Sequence, residues 1–188
     1  MEMILDYLKR IKTQLVYGVN CLNMDAMGFD LANRYDAKFI QLDSVAGHLK
    51  PRDDYSMEAF LKKYRSETGA YLLGGVRFKY QPVLSGRSVE EDLLIGKERC
   101  DALVVTQDAT GQETSLAKIR DFRRIIGDFP LFVGAGLTLD NCAKQLAIAD
   151  GAIVGSYFKD TYKDSGDVCQ EHVQALLAEV AKLRSTGR

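Results

Sequence analysis

The chain has 188 residues, 46% of them hydrophobic and 27% charged, enough for one globular domain with its own core. Its 25 basic and 26 acidic residues are interspersed and leave a net charge of −1, so there is no electrostatic footprint for nucleic acid or an anionic membrane. No apolar run reaches the roughly 18 residues of a membrane-spanning helix, and residues 1–14 carry charges throughout, unlike a signal peptide.

The order of elements is read from apolar periodicity. Ile4, Leu5, Leu8 and Ile11 form a helical stripe within residues 3–14. "LVYGVN" (15–20) reads as a strand, and residues 24–35 as a helix with Asp25 near its positive end. "AKFIQLD" (37–43) is the second strand, followed by a helix over 56–68 that Gly69 can close. "YLLGGVRF" (71–78) is the third, its two glycines marking a bulge or a close backbone approach. A helix over 88–100, a strand over 102–106, a helix over 115–126 and the strand "PLFVGAG" (130–136) come next. Residues 138–148 read as a helix capped by Thr138, and "GAIVG" (151–155) as the last strand. Residues 169–184 form the closing amphipathic helix, with Val173, Leu176, Leu177, Val180 and Leu183 on one face.

Six short, continuously apolar strands thus alternate with helices at the scale of a βαβ unit, within a single domain over 1–188. The class is α/β with a parallel sheet, either a barrel or an open doubly wound sheet. The four cysteines, Cys21, Cys100, Cys142 and Cys169, form no CxxC pair and are expected as reduced, buried thiols of a cytoplasmic protein. With two scattered histidines they predict neither a metal site nor a Cys–His pair; His172 reads as a surface or packed residue of the last helix.

In such folds ligands meet the carboxyl ends of the strands. There the fifth strand offers Gly134, Ala135, Gly136 and Thr138, and the sixth offers Gly155 and Ser156. Glycines let backbone N–H groups approach an anion, and a helix starting at Ser156 would aim its positive end at the same point. The pair predicts a phosphate cup; the plainer alternative is that these glycines only permit tight turns. Lys159 could neutralise the phosphate or point into water. On this reading Gly136→Val abolishes binding without unfolding the chain.

The other strand ends carry Asn20 and Asp25, Asp43 and Ser44, Arg77, Lys79 and Tyr80, and Thr106, Gln107, Asp108, Thr110 and Gly111. On one barrel rim these would converge. Lys79 could be a general acid, a Schiff-base nucleophile or a rim salt bridge; Asp43 and Asp108 could be general bases or Mg²⁺ ligands, or Asp108 could cap its own turn.

The segments "VYGVNCLNMDA", "AKFIQLDSVAG", "CDALVVTQDATG", "LFVGAGLTLDN" and "ADGAIVGSYFK" resemble successive motifs of the BtpA/SgcQ family, from Val16 to Lys159. The resemblance implies a TIM barrel of the phosphate-binding type; one family branch is associated with photosystem I biogenesis, another with sugar-metabolism gene clusters. It carries over to Asp25, Lys79, Thr110, Gly111, Gly134, Gly136, Asn141, Asp150, Gly151, Gly155 and Lys159. It departs at Gly75 and Tyr80, where members usually carry aspartate and histidine, and at Met24, Gln41, Asp43 and Ala135. The chain starts at what looks like the family's second helix, so the expected architecture is an incomplete (β/α) barrel of about six units. Its uncovered edge would be met by self-association or a partner chain.

Two functions follow as expectations. One is an enzyme acting on a small phosphorylated metabolite without a cofactor, by lyase, isomerase or transferase chemistry. The other is a non-catalytic binding or assembly protein that keeps the barrel, which the departures at Gly75 and Tyr80 favour. Dinucleotide binding is disfavoured because no GxGxxG follows the first strand.

Overall fold

The computed structural model describes residues 1–185. The chain divides into two compact units, Met1–Val76 with Val83–Ala102, and Arg77–Pro82 with the chain from Leu103 onward.

The first unit contains α1 (Glu2–Arg10), β1 (Gly18–Val19), α2 (Asp25–Tyr35), β2 (Phe39–Ala46), α3 (Pro51–Arg65), β3 (Tyr71–Val76) and α4 (Val89–Arg99). β2 pairs in parallel with β1 and with β3. Ile40, Leu42, Val45, Leu72 and Val76 are fully buried, as expected of strands covered on both faces. The glycine pair of β3 does mark a close approach: a Cβ on Gly74 would stand 2.7 Å from Val45 Cγ2 and 2.8 Å from Cys100 Sγ. The irregularity itself falls in β2, between Leu42 and Ala46, so β2 runs past Asp43 instead of ending there. The expected first strand shrinks to two residues. α3 starts at Pro51, not Ser56, because proline at the first helical position loses no hydrogen bond. Ser88 and Glu91 close a reciprocal capping box on α4.

In this unit Asp54 and Arg99 are buried as a pair. Asp54, 5% exposed, accepts from Arg99 Nη1 at 2.8 Å and also pairs with Arg87; Arg99 Nη1 donates to the Val45 carbonyl at 2.7 Å. Burial pushes the Asp54 carboxyl up, but its bonds to Arg99 and Arg87 outweigh that and hold it below the usual range. Asp101 is held low by Arg65, against burial and with help from the Leu72 N–H, which donates to it at 2.7 Å.

The second unit contains β4 (Ala102–Val105), α5 (Leu116–Ile126), β5 (Leu131–Val133), α6 (Cys142–Leu146), β6 (Gly151–Ala152) and α7 (Gln170–Ser185). β5 pairs in parallel with β4 and with β6. Asp150, placed before β6 as Asp101 is before β4, accepts the Leu131 N–H at 2.8 Å and Arg123 Nη2 at 2.6 Å. α7 lays Leu176, Val180 and Leu183 against Leu137, Cys142, Val154 and Phe158. The helix expected from Ser156 is a single 3₁₀ turn, Ser156–Phe158, so no helix dipole acts there. Residues 159–168 follow as an irregular loop closed by an antiparallel bridge between Lys159 and Val168. The helix expected over 138–148 contracts to α6, with Asn141 instead of Thr138 at its N-cap position.

Among the described residues no helix is long and apolar enough to cross a membrane, and no group of three or more metal-ligating side chains occurs. Of the cysteines only Cys100 and Cys142 are buried; Cys21 and Cys169 are half-buried. Burial pushes the Cys100 thiol up to about 12, which makes it inert.

Asp54→Asn, which leaves the buried Arg99 with only the exposed carboxylate of Glu58 at 3.0 Å, is expected to cost about 3 kcal/mol in urea unfolding. Because Asp54 and Asp101 titrate lower folded than unfolded, their contribution is complete above about pH 4 and lost as pH falls further. The wild-type urea midpoint should therefore drop below that pH more steeply than that of Asp54→Asn.

Candidate functional site

At the carboxyl ends of β5 and β6 the second unit holds a cavity of about 180 Å³. Its walls come from Gly134 to Thr138, from Gly155, Ser156 and Tyr157, and from Lys79, Thr110, Gly111 and Tyr162. The backbone N–H groups of Gly136, Leu137, Gly155, Ser156 and Tyr157 have no hydrogen-bond partner among the described residues. Among the described residues no carboxylate and no histidine lines the cavity.

The turn after β5 is fixed from below by side chains. Asn141 Oδ1 accepts the Thr138 N–H at 2.8 Å, and its Nδ2 donates to the Gly136 carbonyl at 2.9 Å. The buried Thr114 hydroxyl donates to the Ala135 carbonyl at 3.2 Å, and buried Gln145 Nε2 donates to the Thr114 carbonyl at 3.1 Å. The glycines are not equivalent. Gly136 has φ of 70°, and a Cβ there would overlap the backbone of Gln112 and Glu113. A Cβ on Gly134 would stand 2.5 Å from Val104 Cγ1, so that glycine serves strand packing. Gly155 has nothing within 4 Å of a Cβ. The expectation that Gly136→Val leaves the fold intact is therefore corrected: the side chain would strike main chain.

Lys79 lines the cavity; its N–H donates to Thr106 Oγ1 at 2.9 Å and its Nζ lies 5.5 Å from the Phe78 ring centroid. Among the described residues it makes no ion pair, so the rim salt bridge is not formed. Arg77 and Tyr80, on either side of it, both have positive φ (47° and 61°), a strained segment. The Tyr80 hydroxyl accepts the Thr110 N–H at 2.7 Å, and bonds to Thr110 lower the Tyr80 pKa. Asp108 is exposed and does not line the cavity; its carbonyl accepts the Tyr80 N–H at 3.3 Å. The loop it was expected to cap is tied instead by Gln107, whose Oε1 accepts the Ser115 N–H at 3.2 Å. Lys118 Nζ donates to the Thr106 carbonyl at 2.6 Å; burial lowers its pKa while Asp108 pulls it back. Lys159 does not line the cavity; its backbone closes the loop that follows.

Asn20, Asp25 and Asp43 form a separate group in the first unit. Asp43 Oδ1 accepts from Asn20 Nδ2 at 2.9 Å and Gln41 Nε2 at 3.0 Å. Burial raises the Asp25 pKa, with the Asp43 charge adding to it.

The model of the BtpA family matches residues 1–182. The chain belongs to the BtpA family. The uncharacterized protein MJ1115 of Methanocaldococcus jannaschii is 25% identical over 187 residues, 94% of this chain and 70% of that protein. SgcQ of Escherichia coli is 24% identical over 193 residues, 91% of this chain and 66% of SgcQ. Among solved structures, thiamine phosphate pyrophosphorylase from Pyrococcus furiosus is similar with a TM-score of 0.63 and 16% identity, over 96% of this chain and 76% of that one. The 2-keto-3-deoxy-6-phosphogluconate aldolase of Zymomonas mobilis, solved with 3-phosphoglycerate, gives 0.56 and 16%, over 95% and 73%. These likenesses establish the fold as a parallel (β/α) barrel of the TIM type, with six strands described here.

In this BtpA-family chain, Lys79, Thr110, Gly111, Gly134, Gly136 and Gly155 of the family resemblance meet at one cavity. Asn141 stands behind it, while Asp150 ties β5 to Arg123. Sequence reasoning missed Tyr157 and Tyr162, which line the cavity, and His172 behind them. Their only signal was the Tyr-Phe pair directly after the Gly155-Ser156 turn.

Gly136→Ala is expected to lose about 2 kcal/mol or more, from left-handed backbone strain plus the main-chain overlap. Gly155→Ala should stay within about 0.5 kcal/mol of wild type. Thermal unfolding of the two variants checks the contrast.

Proposed function

We propose that the BtpA-family chain binds the phosphoryl group of a small metabolite in the cavity after β5 and β6, with Lys79 as the counter-charge. The observation that carries this reading is that five residues lining one cavity, Gly136, Leu137, Gly155, Ser156 and Tyr157, have N–H groups without a partner among the described residues, and that Lys79, which lines it too, makes no ion pair among them. Unpaired donors beside a cation suit an anion and little else. At about 180 Å³ the cavity takes a phosphoryl head and leaves the rest of the molecule outside. Two solved barrels of the same fold are described in terms of phosphorylated compounds, which supports the reading by analogy of fold.

Any proton transfer at the bound end would fall to Lys79, Tyr157 or Tyr162, since no carboxylate lines the cavity among the described residues. The same observation favours a second reading, a binding protein without turnover. A screen of phosphorylated sugars, acids and nucleotides separates the two: product formation that Lys79→Ala abolishes supports an enzyme, and binding without product supports the binder.

In a thermal-shift assay inorganic phosphate at 100 times its Kd is expected to add about 2.7 kcal/mol of stability. Gly155→Val, which fills open space, and Lys79→Ala, which removes the cation, should each weaken phosphate at least about tenfold while the free protein melts as before. Unchanged affinity in both variants would refute the site.

A further inference from the structure

We infer that the phosphorylated ligand carries a flat heteroaromatic ring, which stacks on the outer face of Tyr162 at the mouth of the cavity. The inference rests on the proposed phosphoryl site and adds the class of compound that the site takes.

Tyr162 lines the cavity from the loop that follows the 3₁₀ turn, and it is 56% exposed. Tyr157, the other aromatic residue of the wall, is half-buried. A cavity of about 180 Å³ holds a phosphoryl head, so the group attached to that head leaves through the mouth, past the exposed ring.

One face of the Tyr162 ring is already covered. The imidazole of His172, from α7, stacks on it with centroids 4.4 Å apart and planes 22° apart. Tyr157 lies 5.8 Å from Tyr162 and 5.6 Å from His172. A ring on the far side of Tyr162 would stand much farther from His172 than from Tyr162, so Tyr157 sits beside the stack. The outer face of Tyr162 is therefore the exposed one. His172 does not line the cavity, so the cavity lies on the outer side of the stack.

The ring is held in place. Tyr162 has φ of 56°, a left-handed conformation that is costly for a tyrosine. Its N–H donates to the Lys159 carbonyl at 3.2 Å, and the Asp160 N–H donates to the Asp167 carbonyl at 3.0 Å. Asp160 Oδ1 accepts the Asp167 N–H at 3.1 Å, which closes the loop around the tyrosine. His172 Nδ1–H donates to the Lys159 carbonyl at 3.0 Å and so fixes the imidazole under the ring. Backbone strain that keeps an aromatic ring at the edge of a cavity is a mark of function. A fixed ring with a bare face loses little entropy when a second ring settles on it.

Beyond the phosphoryl group the wall offers a ligand few other holds. Among the described residues no carboxylate lines it, so the group that commonly grips ribose hydroxyls is missing. Stacking needs only a π-face, so nucleotides and other heteroaromatic phosphates all qualify.

The probes are adenosine 5′-phosphate, ribose 5-phosphate and inorganic phosphate, titrated into the full chain by calorimetry. Adenosine 5′-phosphate is expected to bind about tenfold tighter than ribose 5-phosphate. Its adenine protons should move upfield in proton NMR, under the ring current of Tyr162. Tyr162→Phe keeps the ring and should keep both results. Tyr162→Asn removes the ring with a residue that tolerates the left-handed backbone. It should bring adenosine 5′-phosphate to the level of ribose 5-phosphate, whose own affinity stays unchanged. Selectivity undiminished in Tyr162→Asn would overturn the stack. So would a saturated wild type whose adenine protons do not move, a result independent of how well the variant folds. Equal binding of adenosine 5′-phosphate and ribose 5-phosphate to the wild type would overturn the ring subsite and leave the phosphoryl site standing. A wild type that binds none of the three probes would overturn the phosphoryl site itself.

Discussion

The cavity depends on one contact that only glycine permits. Gly136 sits against the backbone of Gln112 and Glu113 at φ of 70°, with no room for a Cβ. Around it buried side chains hold the turn: Asn141 holds both ends of residues 136–138, Thr114 holds Ala135, and Gln145, whose own Oε1 has no partner among the described residues, holds Thr114. Those side chains take up the carbonyls of Ala135, Gly136 and Thr114 and the Thr138 N–H, while the N–H groups of Gly136 and Leu137 have no partner among the described residues.

The two units treat charge differently. In the first, the buried carboxylate of Asp54 is matched by Arg99 and Arg87, so it is neutralised in place. In the second, Lys79 stands at the cavity without a carboxylate in reach among the described residues, next to main-chain donors that are also unmatched. Tyr157 and Tyr162 line the cavity and pack against each other and against His172 behind them.

The alternation of strands and helices was legible because each strand is a short apolar run flanked by turn residues, and because helical stripes are wide. The helices expected from residues 88 and 115 do begin there, with Ser88 and Ser115 as their N-caps. What failed was local competition. Thr138 looks like a cap, but Asn141 spends its side chain on the loop and delays the helix to Cys142. Ser156 looks like a helix start, but only one turn forms before the chain commits to the Lys159–Val168 bridge. Of the site, the glycines and Lys79 were readable from their place after strands. Tyr162 and His172 were not, since their pairing spans ten residues across an irregular loop with no periodicity to betray it. Gly134 and Gly155, alike in sequence, differ in role because only Gly134 faces a packed strand.

The most direct measurement is a residue-resolved amide NMR titration of the whole chain with inorganic phosphate. The account predicts saturable shifts concentrated at Gly136, Leu137, Gly155, Ser156 and Tyr157, with the amides of β1 to β3 unmoved. Shifts scattered over surface lysines and arginines, with those five amides silent, would contradict it.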